Sequence, residues 1–227
     1  MSQRSLHELL DTIDPMWPLI QQWLSGAAHP VEVLPAQRSE AETTLLTLQV
    51  TTRSPLGAMA WETGGLLVDD GWLRLLGAGN PRLRHSLLSW NGLGGSAITP
   101  PLMQAFVVGY DVLGGFFAIN GGAFGKQDRS VFYFAPDSLQ WEDLGLAYGD
   151  FLQWAITGNV AGFYGEQRWP GWQQEVTGMS GDQGFSFMPM LWAKGPPLGE
   201  RSRRVVPQEE LWRLHHDLAR QLAEAPE

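Results

Sequence analysis

The spacing of apolar residues in the first fifty positions is typical of short helices. A helix is predicted from Ser5, because Ser5 and Glu8 form a capping-box pattern and Leu6, Leu9, Leu10 and Ile13 then share one face. Asp14-Pro15 ends it. A second predicted helix begins between Pro15 and Pro18, ends at Gly26, and buries Leu19, Ile20, Trp23 and Leu24.

The next segments alternate between extended and helical patterns. Val31 to Leu34 is predicted as a short extended piece, and Ser39 to Leu48 as a third helix. Between Gly65 and Gly77, two apolar runs flank Asp69-Asp70-Gly71. Since Asp-Gly readily adopts the positive φ angles of a tight turn, this segment predicts a β-hairpin.

The middle of the chain consists of short apolar runs separated by Gly, Asn, Asp or Pro. We expect strands in four of these runs, AFVVGYD, GGFFAIN, SVFYFAP and LQWEDLG, between residues 105 and 145. Short connections favour antiparallel pairing. Tyr148 to Ile156 then has the pattern of an amphipathic helix, with Phe151, Leu152 and Ala155 on the inner side.

The last third begins with a segment rich in Gly and Trp. Helical turns are predicted near 160–165 and 172–177, and a last strand over Phe185–Ala193, which Pro189 restricts to a sheet edge. The basic run at 200–204 is interpreted as a solvated loop. A closing helix follows from Pro207, with leucines at spacings of three and four.

Together these elements predict an α+β protein. Its mostly antiparallel sheet of short strands is expected to carry helices from both ends of the chain. The length of 227 residues and the absence of a long polar linker predict one domain. Its helical N-terminal part would be 1–64, its sheet-containing core 65–193 and its closing helix 205–223.

Composition narrows the classes of function. The chain has no cysteine, which excludes disulfides, thiolate nucleophiles and zinc sites of the Cys type and fits a reducing cytoplasm. No apolar run is long enough for a membrane span and no signal peptide is evident, so we expect a cytoplasmic protein. The net charge of −9 disfavours binding to nucleic acid or anionic lipid. It either attracts basic partners or simply confers solubility.

Motifs for catalysis and cofactors are incomplete. NGGAFGK, over 120–126, lacks the first glycine and the final hydroxyl of a phosphate loop, so it is interpreted as a hairpin connection. Ser96 and Ser180 lack the glycines of a nucleophile elbow. The five histidines lack metal-ligand spacing and are interpreted as solvated or half-buried. We therefore assign no catalytic residue, no metal ligand and no cofactor.

Eleven tryptophans leave a ligand-binding alternative open. Most are expected in the core. The cluster most expected to be exposed is Trp169-Pro170-Gly171-Trp172, although the core is the favoured interpretation of any single tryptophan. Trp169 and Trp172 could line a pocket that binds a saccharide, with a carboxylate pair that makes the protein a binding protein or a hydrolase.

Two blocks of sequence resemble a known bacterial family. HPVEVLP at 29–35 and LQVTTRSPLGAMAWETGGLLVDDGWLRLLGAGNPRL at 48–83 are similar to the family called domain of unknown function 2625. The likeness extends over nearly the whole chain. Since the family has no established activity, this resemblance implies membership and no chemistry.

The middle segment resembles the core of the SUKH superfamily. There, Val131 to Phe134, Asp137, Trp141 and the helix from Tyr148 to Leu152 match the order of the superfamily's motifs, whereas Ala135-Pro136 replaces its usual polar pair. The resemblance implies an α+β sheet that binds proteins, as in immunity proteins that neutralise bacterial toxins.

Charge in the same segment indicates where a partner would bind. Residues 102–165 carry six acidic and two basic residues, a net charge of −4. A negative sheet face could attract a basic toxin domain. The predicted partner-binding residues are Asp111, Asp128, Asp137, Trp141 and Asp143. A scaffold that forms a homodimer is the remaining alternative.

Overall fold

A seven-stranded antiparallel sheet forms the centre of the protein, as a computed structural model shows for residues 3–95, 102–125 and 128–224. The strands lie side by side in chain order. They are β1 (Val31–Pro35), β2 (Thr63–Val68), β3 (Leu73–Leu76), β4 (Ala105–Asp111), β5 (Phe116–Asn120), β6 (Ser130–Ala135) and β7 (Gln140–Ala147). The prediction of an α+β fold with a mostly antiparallel sheet is confirmed.

The predicted hairpin joins β2 to β3. Val68 is paired with Leu73 across it, and Asp69 and Asp70 take positive φ angles of 53° and 55°. Aspartate tolerates this left-handed conformation better than most residues, so the turn needs no glycine at either position. NGGAFG likewise lies in the connection between the antiparallel strands β5 and β6. Lys126, the last residue of that motif, lies outside the described residues.

Both faces of the sheet are covered, as two neighbouring residues of β5 show. Phe117 contacts Phe151 of α6 (Tyr148–Thr157). Phe116 points the opposite way and contacts Trp212 of α9 (Gln208–Glu224), with ring centroids 4.7 Å apart. Since successive side chains of a strand alternate between faces, α6 and α9 lie on opposite sides of the sheet.

The N-terminal helices gather around α6. They are α1 (Leu6–Leu9), α2 (Trp17–Ser25), α3 (Arg38–Leu48) and α4 (Pro55–Glu62); α2 and α4 both contact α6. The predicted first helix is shorter than expected: it ends at Leu9, and Ile13 is exposed. Helix α4 was not predicted, although Ser54 caps it by accepting from Gly57 N and Pro55 occupies its first turn.

The predicted N-terminal part is not purely helical, because β1 and the start of β2 lie within 1–64 and belong to the central sheet. Short helices complete the middle and end of the chain: α5 (Leu87–Trp90), α7 (Val160–Tyr164) and α8 (Trp172–Thr177). The organisation as one domain stays a prediction.

The C-terminal third differs from its prediction at two strands. The strand expected over 185–193 is β8 (Gln183–Met188), and it pairs with β9 (Ser202–Pro207) rather than with the main sheet. The basic run therefore enters a strand instead of a loop. Its arginines are paired, Arg203 with Glu175 and Arg204 with Glu210. Among the described residues, no helix is both long and apolar enough to cross a membrane.

Candidate functional site

Four acids line the outer edge of the sheet at β7, and we call them the acidic edge: Asp128, Asp137, Glu142 and Asp143. All four are exposed. Asp137 lies in the turn that leads into β7, and Asp128 precedes Ser130, which pairs with Ala147 at the far end of β7. Eight residues of strand separate these ends, so the acids extend along roughly 25 Å of edge.

The register of β7 places two of the predicted residues on one face. Trp141 is paired with Phe134 and Asp143 with Phe132, so both side chains point to the side of α9, whereas Glu142 points to the opposite side. Trp141 is half-buried against Phe134, at a centroid distance of 5.4 Å, and against Phe124 at 4.7 Å. It therefore combines packing with a partly exposed aromatic surface.

Strand β7 ends the strand order, so one of its backbone edges faces away from the sheet. The pairing with β6 shifts at Leu144-Gly145, and Gly145 takes a φ of 66°. Asp143 fixes this bulge by accepting a hydrogen bond from Gly145 N at 2.9 Å. A bulge and acidic side chains both discourage unspecific strand-to-strand association at an open edge.

Asp111, which was predicted on the same surface, is fully buried. Its Oδ1 accepts hydrogen bonds from Leu113 N and Gly115 N at 2.9 and 2.8 Å. Its Oδ2 accepts from the hydroxyls of Tyr133 and Tyr164 at 2.8 and 3.1 Å. The expectation of a partner-binding Asp111 is therefore wrong, because four donors hold this carboxylate in the interior.

Burial also sets the titration of this group. It raises the pKa of Asp111 above its ordinary value, against the lowering effect of the four donors. Burial likewise raises the pKa of the Tyr133 and Tyr164 hydroxyls, and the nearby Asp111 charge adds to that rise. At Gly115, a Cβ would lie 2.4 Å from Asp111 Oδ2, so only glycine permits this close approach.

Trp169 and Trp172 are core residues, which corrects the exposure expected of the cluster at 169–172. They are 2% and 7% exposed, and both pack on Trp72, with ring centroids 5.6 and 4.9 Å away. The guanidinium of Arg168, ion-paired with Asp69, lies over Trp72 and Trp172. No sugar could stack on these rings, so the saccharide alternative loses its predicted pocket.

Another cavity also lacks the residues expected of a saccharide site. It has a volume of about 600 Å³ and lies at the end of β4 and β5, lined among others by Leu56, Phe106, Ile119 and Tyr148. Neither a tryptophan nor a carboxylate lines it. No described residue is hydrogen-bonded to the Tyr148 hydroxyl, and burial raises the pKa of this hydroxyl above the usual range.

Sequence reasoning missed a buried polar cluster around His85. His85 Nδ1 is hydrogen-bonded to the Tyr110 hydroxyl at 2.9 Å and lies 3.5 Å from Asp182 Oδ1, while its Nε2 lies 3.4 Å from Glu209. Burial lowers the pKa of His85. Almost a hundred residues separate His85 from Asp182, so no local spacing could have revealed the pair.

This histidine cluster resembles an acid–base site in composition only. Asp182 is occupied by the backbone of Arg84 and His85, at 3.1 and 3.0 Å, and no described cavity is lined by His85. We therefore interpret the cluster as a structural one, which connects β4, the loop at 180–182 and the start of α9.

Of two further histidines, one differs from its prediction. His215 is buried, and its Nδ1 donates to Gly114 O at 3.0 Å; burial lowers its pKa to about 4. His216 is half-buried as predicted and stacks on Phe134 with ring centroids 4.5 Å apart. Among the described residues, no group of three or more His, Cys, Asp or Glu side chains is placed to hold a metal ion.

These features define an α+β protein with an acidic sheet edge and buried polar clusters around Asp111 and His85 that are hydrogen-bonded within the protein. The chain belongs to the family described as Protein of unknown function DUF2625, whose model matches residues 6–211. The resemblance to this family is confirmed.

Two relatives match most of the chain. The Putative uncharacterized protein YbfG of Escherichia coli (strain K12) is 41% identical over 215 residues, which are 95% of this chain and 97% of the relative. An Uncharacterized protein of Haemophilus influenzae is 36% identical over 188 residues, 83% of this chain and 82% of its own. No solved structure matches the chain. The comparisons therefore supply bacterial homologues and no activity.

Proposed function

We propose that this protein is a non-enzymatic binding module that presents its acidic edge to a basic protein, in the manner of an immunity protein that neutralises a bacterial toxin. The observation that carries the proposal is the band of four exposed acids along β7. Like charges concentrated on one edge attract a basic partner over a distance and accelerate its association.

The half-buried Trp141 strengthens this assignment. Interfaces concentrate their binding energy in a few aromatic residues surrounded by polar ones. Trp141 shares its face of β7 with Asp143 and is held in place by Phe124 and Phe134, so it would cost little conformational entropy on binding. A fixed ring beside carboxylates suits a partner rich in arginine, because guanidinium groups bind both.

The resemblance of residues 106–120 and 131–156 to the SUKH core also supports a protein-binding role, and it is a hypothesis of the same standing. A cytoplasmic location, where such a protein would meet an incoming toxin, belongs to the proposal too. A homodimer built through the same edge is the competing use of this surface.

The acidic edge can be tested by neutralising it without changing the shape of the side chains. The variant is Asp137→Asn/Glu142→Gln/Asp143→Asn. The matched control removes three exposed acids elsewhere, Glu40→Gln/Glu200→Gln/Asp217→Asn. Wild type and both variants are immobilised and used to capture basic proteins from lysate of the host bacterium, and bound proteins are identified by mass spectrometry.

We expect wild type and control to retain the same basic protein and the edge variant to lose it. Raising the salt concentration should weaken the retained complex through slower association. A partner that all three proteins retain equally, or a shift of sedimentation that shows self-association only, would contradict the proposal.

A further inference from the structure

Arg74, in β3, is a charged side chain buried in the interior of the protein. The side chain is 1% exposed, and its Nε and Nη1 have no hydrogen-bond partner among the described residues. A guanidinium carries five N–H donors and stays charged at neutral pH. Burial lowers the pKa of Arg74 to about 10, which still leaves it protonated at pH 7.

Two carboxylates favour the charge of this guanidinium, but other groups already occupy them. Asp111 and Asp182 are close enough to favour its charge. However, Asp111 is held by two backbone amides and two tyrosine hydroxyls, and Asp182 by Arg84 and His85. An unpaired buried charge is costly, and proteins normally compensate it by pairing. Arg74 therefore lacks an anionic partner among the described residues, and an anionic ligand could supply one.

A cavity of about 170 Å³ lies against Arg74. Leu67 of β2, which is paired with Arg74 of β3, forms part of the cavity wall. Val176 and Thr177 of α8 and Met179 of the following loop also line the cavity. The volume equals the space of roughly six water molecules in the liquid. A ligand of about that number of non-hydrogen atoms would fit.

Four charged side chains line this cavity, and two of them neutralise each other. Arg82 donates two hydrogen bonds to the carboxylate of Glu32. The other two are Arg74 and Asp70, and no described residue is hydrogen-bonded or ion-paired to the Asp70 carboxylate. The cavity thus offers one unpaired positive charge and one unpaired negative charge.

We propose that this cavity binds a small zwitterion of the amino-acid type, with its carboxylate on Arg74 and its ammonium group on Asp70. The planar guanidinium donates two parallel hydrogen bonds to a carboxylate, and Asp70 accepts from the ammonium group. The apolar wall formed by Leu67, Val176 and Met179 restricts the side chain of the ligand to a small one. This inference is independent of the acidic edge.

The proposal can be tested by thermal unfolding and calorimetry with glycine, L-alanine and L-serine as probes. Acetate and methylammonium chloride, at the same concentration, each present only one half of the zwitterion. At a hundredfold excess over Kd, a ligand of the folded state should raise Tm by about 5–10 °C for a chain of this size. We expect this shift with at least one amino acid and a much smaller one with either half.

Three variants locate the binding. Arg74→Met removes the buried charge at similar volume, and Asp70→Asn keeps a residue that tolerates the positive φ of the turn. Both should abolish the shift. Thr177→Trp keeps both charges and narrows the entrance from an exposed position, so it should weaken binding even if Arg74→Met fails to fold. Arg204→Gln, an exposed arginine outside the cavity, is the matched control and should bind like wild type.

Two results would overturn the assignment. One is that no amino acid shifts Tm beyond the effect of potassium chloride at equal ionic strength, in which case Arg74 is only hydrated. The other is a shift that persists in Thr177→Trp and in whichever of Arg74→Met and Asp70→Asn folds, in which case the ligand binds elsewhere.

Discussion

Asp111 and Asp143 are the same residue type on the central and the last strand of one sheet, and they have opposite environments. Asp111 ends β4, has three strands on either side of it and accepts four hydrogen bonds in the interior. Asp143 lies on β7, the last strand, and is exposed. The position of a strand in the sheet, rather than the acid itself, decides whether a carboxylate organises the core or meets solvent.

Charge has two different uses in this protein. Interior charges of this protein hold elements together that are distant in sequence, as Asp111 does for Tyr133 and Tyr164. Edge charges accept hydrogen bonds mostly from nearby residues, as Asp128 does from Ser130 and Glu142 from Ser138, and Asp137 accepts one from Gln167. Their side chains nevertheless remain exposed to solvent. Stability measurements should therefore respond strongly to the first group and weakly to the second.

The largest effect is expected from Asp111→Ala. Removing this carboxylate leaves two amides and two hydroxyls buried without an acceptor, each at a cost of about 1–3 kcal/mol before relaxation. We expect the free energy of unfolding to fall by about 4 kcal/mol in urea denaturation at pH 7.

Asp143→Ala is the matched change at the edge. It removes an exposed carboxylate and one hydrogen bond to Gly145 N, so we expect a loss of about 0.5 kcal/mol. Equal losses in the two variants would show that the distinction between interior and edge acids is mistaken.

A second, smaller effect should appear as a dependence of stability on pH. The pKa of His215 is about 4 in the folded state against an ordinary value of 6.5. Between these values the unfolded chain binds more protons, so stability is complete above pH 6.5 and falls as the pH is lowered towards 4. The contribution of His215 to this loss is about 3 kcal/mol over the whole interval.

His215→Gln isolates this contribution, because the glutamine amide can still donate to Gly114 O. His85 and His216 also have lowered pKa values and remain in the variant. Urea denaturation at pH 7 and pH 5 should therefore show a shallower slope in the variant than in wild type. An identical slope would mean that His215 is not buried in its neutral form.

The smallest effect is expected at the acidic edge itself. Neutralising Asp137, Glu142 and Asp143 one at a time should change the free energy of unfolding by no more than about 0.5 kcal/mol each, because exposed charges contribute little. Denaturant titration at pH 7 measures this. A loss of several kcal/mol would place these acids in the architecture of the sheet and would weaken their role as a binding surface.

Local sequence patterns predicted most of the elements. The turn at Asp69-Asp70-Gly71 was recognised because few residues tolerate its φ angles, and α9 because its leucines recur with helical spacing. Helix α4 was missed, since its residues between Leu56 and Trp61 are apolar on all sides and show no period. Strand β9 was missed because Arg203 and Arg204 suggest a solvated loop until Glu175 and Glu210 are brought beside them.

The candidate sites could be predicted only in part. The acids at 128, 137 and 143 are exposed as expected, since turns and a polar edge strand are local features. The burial of Trp169 and Trp172 depends on Trp72, about a hundred residues earlier in the chain. The cavity that Arg74 and Asp70 share is also lined by Met179 and Gly181, about a hundred residues later in the chain.

The sequence by itself determined the class of fold, the antiparallel pairing of strands joined by short connections and the acidic character of the middle segment. These properties follow from alternation, turn chemistry and composition, all of which act over a few residues. Only the tertiary structure decided which charges are buried, which aromatic rings are core and where a charged cavity forms. Burial and pairing are set by contacts between residues far apart in the chain, and no local pattern records those contacts.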